Sequence, residues 1–120
     1  MSEIRATTIS NAAGTGPATL TGQSAAKAWV TFNGTGTVAI LDGFNSASII
    51  DAGTGAYNVN ISSAMSDANY ALTEGSRSYQ TYTNRGGLNT ASLLAVGCAN
   101  ASGTPADVAY VALLASGDLA

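Results

Sequence analysis

Histidine is missing from this 120-residue chain, cysteine occurs once, and only 9% of the residues are charged. Each shortage excludes something. Without imidazole there is no His-centred metal site and no histidine base to activate Cys98 or a serine. A single cysteine forms no intrachain disulfide, which fits synthesis in a reducing compartment. Four bases, Arg5, Lys27, Arg77 and Arg85, stand against seven acids, a net charge of −3. That set cannot supply the clustered Lys and Arg that displace counterions from nucleic acid, so no nucleic-acid partner is expected. The longest apolar run, Val108 to Ala115, is too short to cross a bilayer. The opening MSEIRATTIS lacks the apolar h-region of a secretory leader, so neither export nor membrane insertion is expected. Sequons at Asn33, Asn60 and Asn100 then follow from an Asn-, Ser- and Thr-rich composition.

Large apolar side chains are also scarce. The hydrophobic fraction of 46% includes 23 alanines, and Val, Ile, Leu and Phe together fill only another 23 positions. Ser, Thr and Asn occupy 36, giving a neutral, hydrogen-bonding surface. Low net charge argues against disorder. A thin private core then predicts that burial is completed against copies of the same chain, as an obligate oligomer.

What the chain does have is punctuation. Gly-Thr-Gly occurs at residues 14–16, 34–36 and 53–55, each preceded by Asn11, Asn33 or Asp51. Glycine adopts positive φ at little cost, and Asn and Asp side chains accept from backbone N–H groups just ahead, so these are turns between strands. Only the turns recur, which makes them shared turn chemistry, not a structural repeat. Ala28, Val30 and Phe32 alternate with Trp29 and Thr31, and Asn33-Gly34 then begins a hairpin to a strand over Thr37–Leu41. Further strands are expected over Ser46–Asp51, Tyr57–Ile61, Asn69–Thr73, Ser78–Thr83, Ser92–Ala99 and Val108–Ala115, with one short helical turn over Ser63–Ala68. About nine short strands at roughly ten-residue spacing predict an all-β domain, a β-sandwich or jelly-roll-like fold. An N-terminal arm over residues 1–22 precedes this domain, which takes residues 23–120.

Candidate chemistry is thin. No Gly-x-Gly-x-x-Gly and no phosphate-loop lysine follow the glycine turns, so no nucleotide cofactor is expected. Ser24 to Lys27 matches Ser-x-x-Lys but lacks the partner motifs of acyl transfer. Cys98, in an apolar strand, reads as a core residue. Asp42, Asp51 and Asp67, with Asn45 and Asn69, carry oxygen ligands suited to Ca²⁺, but turn capping is the commoner role of such residues. No cofactor, no metal and no catalytic pair are expected. The tyrosines carry the binding potential: Tyr79 and Tyr82, followed by Arg85 in the loop to Asn89, offer stacking faces and hydrogen-bonding tips. Filling a thin sheet core is the alternative role for tyrosine.

The stretch Lys27–Leu72 resembles a module of bacteriophage tail-fibre and related virion surface proteins. The resemblance runs through KAWV-x-FNGTGT, then FN-x-x-SI-x-D-x-GTG-x-Y-x-V-x-I, then DANY, with Trp29, Asn33, Phe44, Ile49, Asp51, Tyr57, Asp67 and Tyr70 in order. The opening SEIRATTISNAAGTGPATLT is similar to the N-terminal stretch of many phage structural proteins. Together these cover roughly the first 70 residues, and residues 73–120 do not share the pattern. The resemblance implies a non-enzymatic homotrimer on the phage particle, made in the host cytoplasm. Its arm would dock to other virion proteins through Ile4, Arg5, Ile9, Pro17 and Leu20. Its distal loops, with Tyr79, Tyr82 and Arg85, would touch a host surface glycan or protein. Two other functions fit the same residues: a capsid decoration (cement) protein anchored by the arm, and a carbohydrate-binding module.

Overall fold

The computed structural model describes residues 2–15, 26–83 and 87–119. Within them are eight strands: β1 (Ala26–Asn33), β2 (Ala39–Phe44), β3 (Ser46–Gly53), β4 (Ala56–Ile61), β5 (Ala71–Ser76), β6 (Gln80–Thr83), β7 (Leu93–Ala99) and β8 (Val111–Ser116). They form two four-stranded antiparallel sheets, ordered β2-β1-β8-β5 and β3-β4-β7-β6. The two sheets pack face to face as the expected all-β sandwich. A ninth strand does not occur among the described residues.

Alternation decides which side chains enter the core. Ala28, Val30 and Phe32 of β1, Tyr57, Val59 and Ile61 of β4, Leu94, Val96 and Cys98 of β7, and Val111, Leu113 and Ala115 of β8 form one buried cluster. Each fully buried Val, Leu or Phe contributes about 2 kcal/mol. Phe32 and Tyr57 meet edge to face across the sheets, with ring centroids 5.1 Å apart. Cys98 is a fully buried free thiol, as its apolar strand predicts.

The turns are built as the sequence indicates. Asn33 Oδ1 accepts from the Thr35 N–H at 3.0 Å, Asn11 Oδ1 from Thr15 at 3.1 Å and Asp51 Oδ1 from Gly53 at 3.0 Å. Gly36 closes the β1–β2 turn at φ 61°, in the region where a side chain is strained. One corner had no obvious signal. A single residue, Asn45, carries the chain from β2 to β3 and therefore from one sheet to the other, at φ 57°. Its side chain donates to the carbonyls of Lys27 (3.0 Å) and Ser63 (2.9 Å) and accepts from the Ser63 N–H at 2.6 Å. Asparagine tolerates this left-handed conformation better than most residues, and here the side chain also fastens it.

Two expectations need adjusting. The segment 63–68 forms no helical turn, because its backbone bonds outward: Met65 N–H donates to Ala91 O and Ser66 N–H to Asp118 O, both at 2.7 Å. Met65 is fully buried there and bridges to Leu119. The strands expected over Thr37–Leu41 and Asn69–Thr73 lie two to three residues later, because pairing with β1 and β8 fixes their limits.

Candidate functional site

The two outer faces of the sandwich differ. On the β3-β4-β7-β6 side, β7 is buried on both faces, so that its outward Ala95, Gly97 and Ala99 are covered as well as its core residues. The chain itself supplies part of this cover. Asn89 Oδ1 accepts from the Ala95 N–H at 2.7 Å, and Gly87 lies beside Asn58. The cover is confined to the middle of this face: on edge strand β3 Ile50, opposite Asn58, is 48% exposed.

The β2-β1-β8-β5 side has no such cover among the described residues. Phe44, Trp29, Leu114 and Thr73 stand in one row across the four strands, and Asp42, Thr31, Ala112 and Gly75 in the next outward row. Phe44 and Leu41 are each 57% exposed and Leu114 42% exposed. Trp29 is half-buried among its neighbours. Between them lies an open recess of about 380 Å³, floored by Thr31, Ala112 and Gly75 and walled by Trp29, Leu114 and Thr73. Four strands about 4.8 Å apart and six residues long give a face on the order of 400 Å². Its apolar part is the row of Phe44, Trp29 and Leu114, and a contiguous exposed apolar patch on a soluble protein is often functional. Tryptophan at its centre is the residue most enriched among strong interface contacts.

Behind this face the interior is held by a polar knot at one end. The Tyr57 hydroxyl, on a fully buried ring, lies 2.9 Å from Gly34 O and 3.1 Å from Asp107 Oδ1. It accepts from the Val108 N–H at 3.4 Å, and Asp107 Oδ1 also accepts from the Gly55 N–H at 2.7 Å. The knot therefore ties the β1–β2 turn, the β3–β4 turn and the segment before β8. Burial raises the Tyr57 hydroxyl well above the ordinary tyrosine range, and the adjacent Asp107 adds to the rise. At the other end Tyr70 donates between the carbonyls of Thr90 and Leu93, each 3.0 Å away. Burial raises this hydroxyl too.

Two further titratable groups face the interior. Glu74, on the core side of edge strand β5 opposite Leu113, has a buried Oε2 with no hydrogen-bond partner. Desolvation raises its carboxyl above the usual value. Cys98 is pushed up to about 11, first by burial and then by the charges of Glu74 and Asp107. At neutral pH the thiol is protonated.

The residues expected to bind occupy several elements. Tyr79 sits on the β5–β6 crossing, 42% exposed, where its N–H donates to Ser76 Oγ at 3.1 Å. Tyr82 lies half-buried on β6 opposite Gly97, on the outer face of its sheet. Arg85 lies outside the described residues. Tyr110 takes an arginine: the Arg77 guanidinium carbon stands 4.5 Å from its ring centroid. In the arm, residues 2–15 form none of the eight strands. Ile4 is 92% and Ile9 71% exposed, and Arg5 Nε donates to Glu3 Oε1 at 2.8 Å. Pro17 and Leu20 lie outside the described residues.

Asp42, Asp51 and Asp67 each accept from a backbone N–H one or two residues on, at 2.8, 3.0 and 2.7 Å. Among the described residues no three acids or thiols converge as a metal site. Trp29 was legible as a residue opposite the core face. The recess was not, because it needs β8 and β5 beside β1. Compared with protein-family models, curated proteins and solved structures, the chain matches none.

Proposed function

We propose that this chain is a non-enzymatic structural protein of a bacteriophage particle, a short trimeric fibre- or spike-like surface protein. In this role the bare β2-β1-β8-β5 face is turned toward other protein and the loops at the sandwich ends face the host surface. One observation carries the reading: an open apolar recess on the β2-β1-β8-β5 face beside Trp29, with Phe44 and Leu114 exposed on the same face. Such a face is costly to leave in water and is of the kind covered in an assembly. The tail-fibre-like pattern from Lys27 to Leu72 supports the same reading, and Trp29 and Phe44 of that pattern both stand on the bare face.

The arm favours a second reading. Ile4 and Ile9 project into solvent, as an anchor for a neighbouring capsid protein would. This is the decoration-protein role. Immunogold labelling of purified particles with antibody to the domain separates the two. Gold at the tail tip is expected for a fibre or spike, and gold over the capsid faces would make it a decoration protein. Particles without label would overturn both.

A further inference from the structure

We propose that the turn between β5 and β6 is a site for an acidic saccharide, a sugar ring bearing a carboxylate, held by Arg77 and Tyr79. The inference deepens the reading of a host-facing surface protein and rests on it. Place provides the first argument. Ala26, Ser116 and Ala71 align at one end of strands β1, β8 and β5, and Phe32, Val111 and Ser76 at the other. The chain enters β1 at Ala26, so the turn after Ser76 lies at the end of the sandwich opposite the arm's point of entry.

Arg77 provides the second. Its backbone N–H donates to Tyr110 O at 3.3 Å, and its guanidinium carbon stands 4.5 Å from the Tyr110 ring centroid. One residue thus anchors both the backbone and the head group of this arginine. Tyr110 is itself half-buried, just ahead of β8. A stacked arginine has less rotamer freedom left to lose on binding. Its charge is also unpaired, since among the described residues no carboxylate forms an ion pair with it. The acids at this end are engaged elsewhere: Asp51 with the Gly53 N–H, Asp107 with the Gly55 N–H and the Tyr57 hydroxyl. Glu74 faces the core side of β5. A planar guanidinium held this way offers a carboxylate the paired N–H bonds that such groups favour.

Tyr79 provides the third. Ser76 Oγ donates to Tyr79 O at 2.5 Å and accepts from its N–H at 3.1 Å, which closes the turn and sets Tyr79 two residues beyond the arginine. The tyrosine is 42% exposed. Such a ring packs against the C–H face of a sugar while its hydroxyl bonds in water. Ser78 and Gln80 beside it are exposed and uncharged. Neutral hydrogen-bonding groups around one cation suit a polyhydroxy ligand with a single negative charge, whereas an acidic peptide calls for several cations.

Titration of the isotope-labelled full chain with trigalacturonate and with a hyaluronan tetrasaccharide, read by amide chemical shifts, tests the site. Shifts are expected at residues 76–80 and at Tyr110, saturating in the millimolar range for at least one of the two sugars. Neutral maltotriose should bind about 10-fold more weakly. Arg77→Lys keeps the charge and loses the fork, and Tyr79→Ala loses the ring. Each should weaken binding by about 10-fold or more, with spectra unchanged away from the turn. No shifts with either acidic sugar, or wild-type affinity in Arg77→Lys, would overturn the inference. Equal affinity for tetraglutamate would overturn the saccharide and make the ligand an acidic peptide. Gold at the tail tip beside any of these failures leaves the surface-protein reading standing, so the two fail separately.

Discussion

Removing one oxygen atom, in Tyr57→Phe, should cost this domain a large part of its stability. The hydroxyl is the common partner of Gly34 O, Asp107 Oδ1 and the Val108 N–H. Phenylalanine keeps the ring and its edge contact with Phe32, so the change isolates the polar knot. Asp107 is exposed and regains water, but Gly34 and Val108 are buried and do not. An orphaned buried group costs about 1–3 kcal/mol. The Val108 bond is long at 3.4 Å and counts for little, so the loss falls near the middle of that range. At a urea slope of about 2 kcal/mol per molar, a loss of about 2 kcal/mol lowers the unfolding midpoint by about 1 M. Urea titration followed by far-ultraviolet circular dichroism reads this directly. The same substitution in an Asp107→Ala background should cost less, because one partner is already gone. A midpoint that does not move in Tyr57→Phe would refute the assignment of the knot as a stability element.

Three other outcomes follow from the same structure. Glu74 has its folded-state pKa raised by desolvation, so its contribution is fully present below the unfolded value and is lost as pH rises through the folded one. Glu74→Gln should therefore stabilise the domain at pH 7 by about 1 kcal/mol, discounted for its partial exposure, and give no gain at pH 4. Paired thermal melts at the two pH values check it. Gly55→Ala should prevent folding or destabilise severely. Its backbone sits at φ 63°, and a Cβ there would meet Cys98 O and lie 2.7 Å from Ala106 N. Gly36→Ala at φ 61° meets nothing and should cost only about 1 kcal/mol, so equal loss in the two variants would contradict this account. Cys98 should resist alkylation at pH 8, where a thiol at about 11 is only about 0.1% thiolate, until the protein unfolds.

Much of this fold is readable because its signals are local. Alternation from Ala28 to Phe32 and from Tyr57 to Ile61 separates core from surface within a strand, and Asn33, Asp51 and Asn11 cap their own turns. What the chain hides is non-local. Asp107 reads as an ordinary loop acid until its carboxylate is seen on Gly55 and Tyr57, fifty residues earlier. Gly75 reads as a weak point in a strand until β5 lies beside β8 and the recess above it appears. The β2–β3 corner at Asn45 is similar, because its bonds reach back to Lys27 and forward to Ser63. Tyr79 and Tyr82 are near in sequence, and only the sheet assignment places the first on the crossing between sheets and the second opposite Gly97 on β6.

The chain carries its own reporter for the bare face, since Trp29 is its only tryptophan. Gly75→Val adds a side chain to the recess floor, where a Cβ meets no atom of its own chain within 4 Å. Acrylamide quenching of Trp29 fluorescence, measured in the assembled wild type and in Gly75→Val, tests the covered-face claim most directly. The account predicts a blue-shifted emission and weak quenching in the assembly, with red-shifted emission and stronger quenching in the variant. Equal quenching in the two, with the wild type assembled, would show that the assembly forms through another surface and would contradict it.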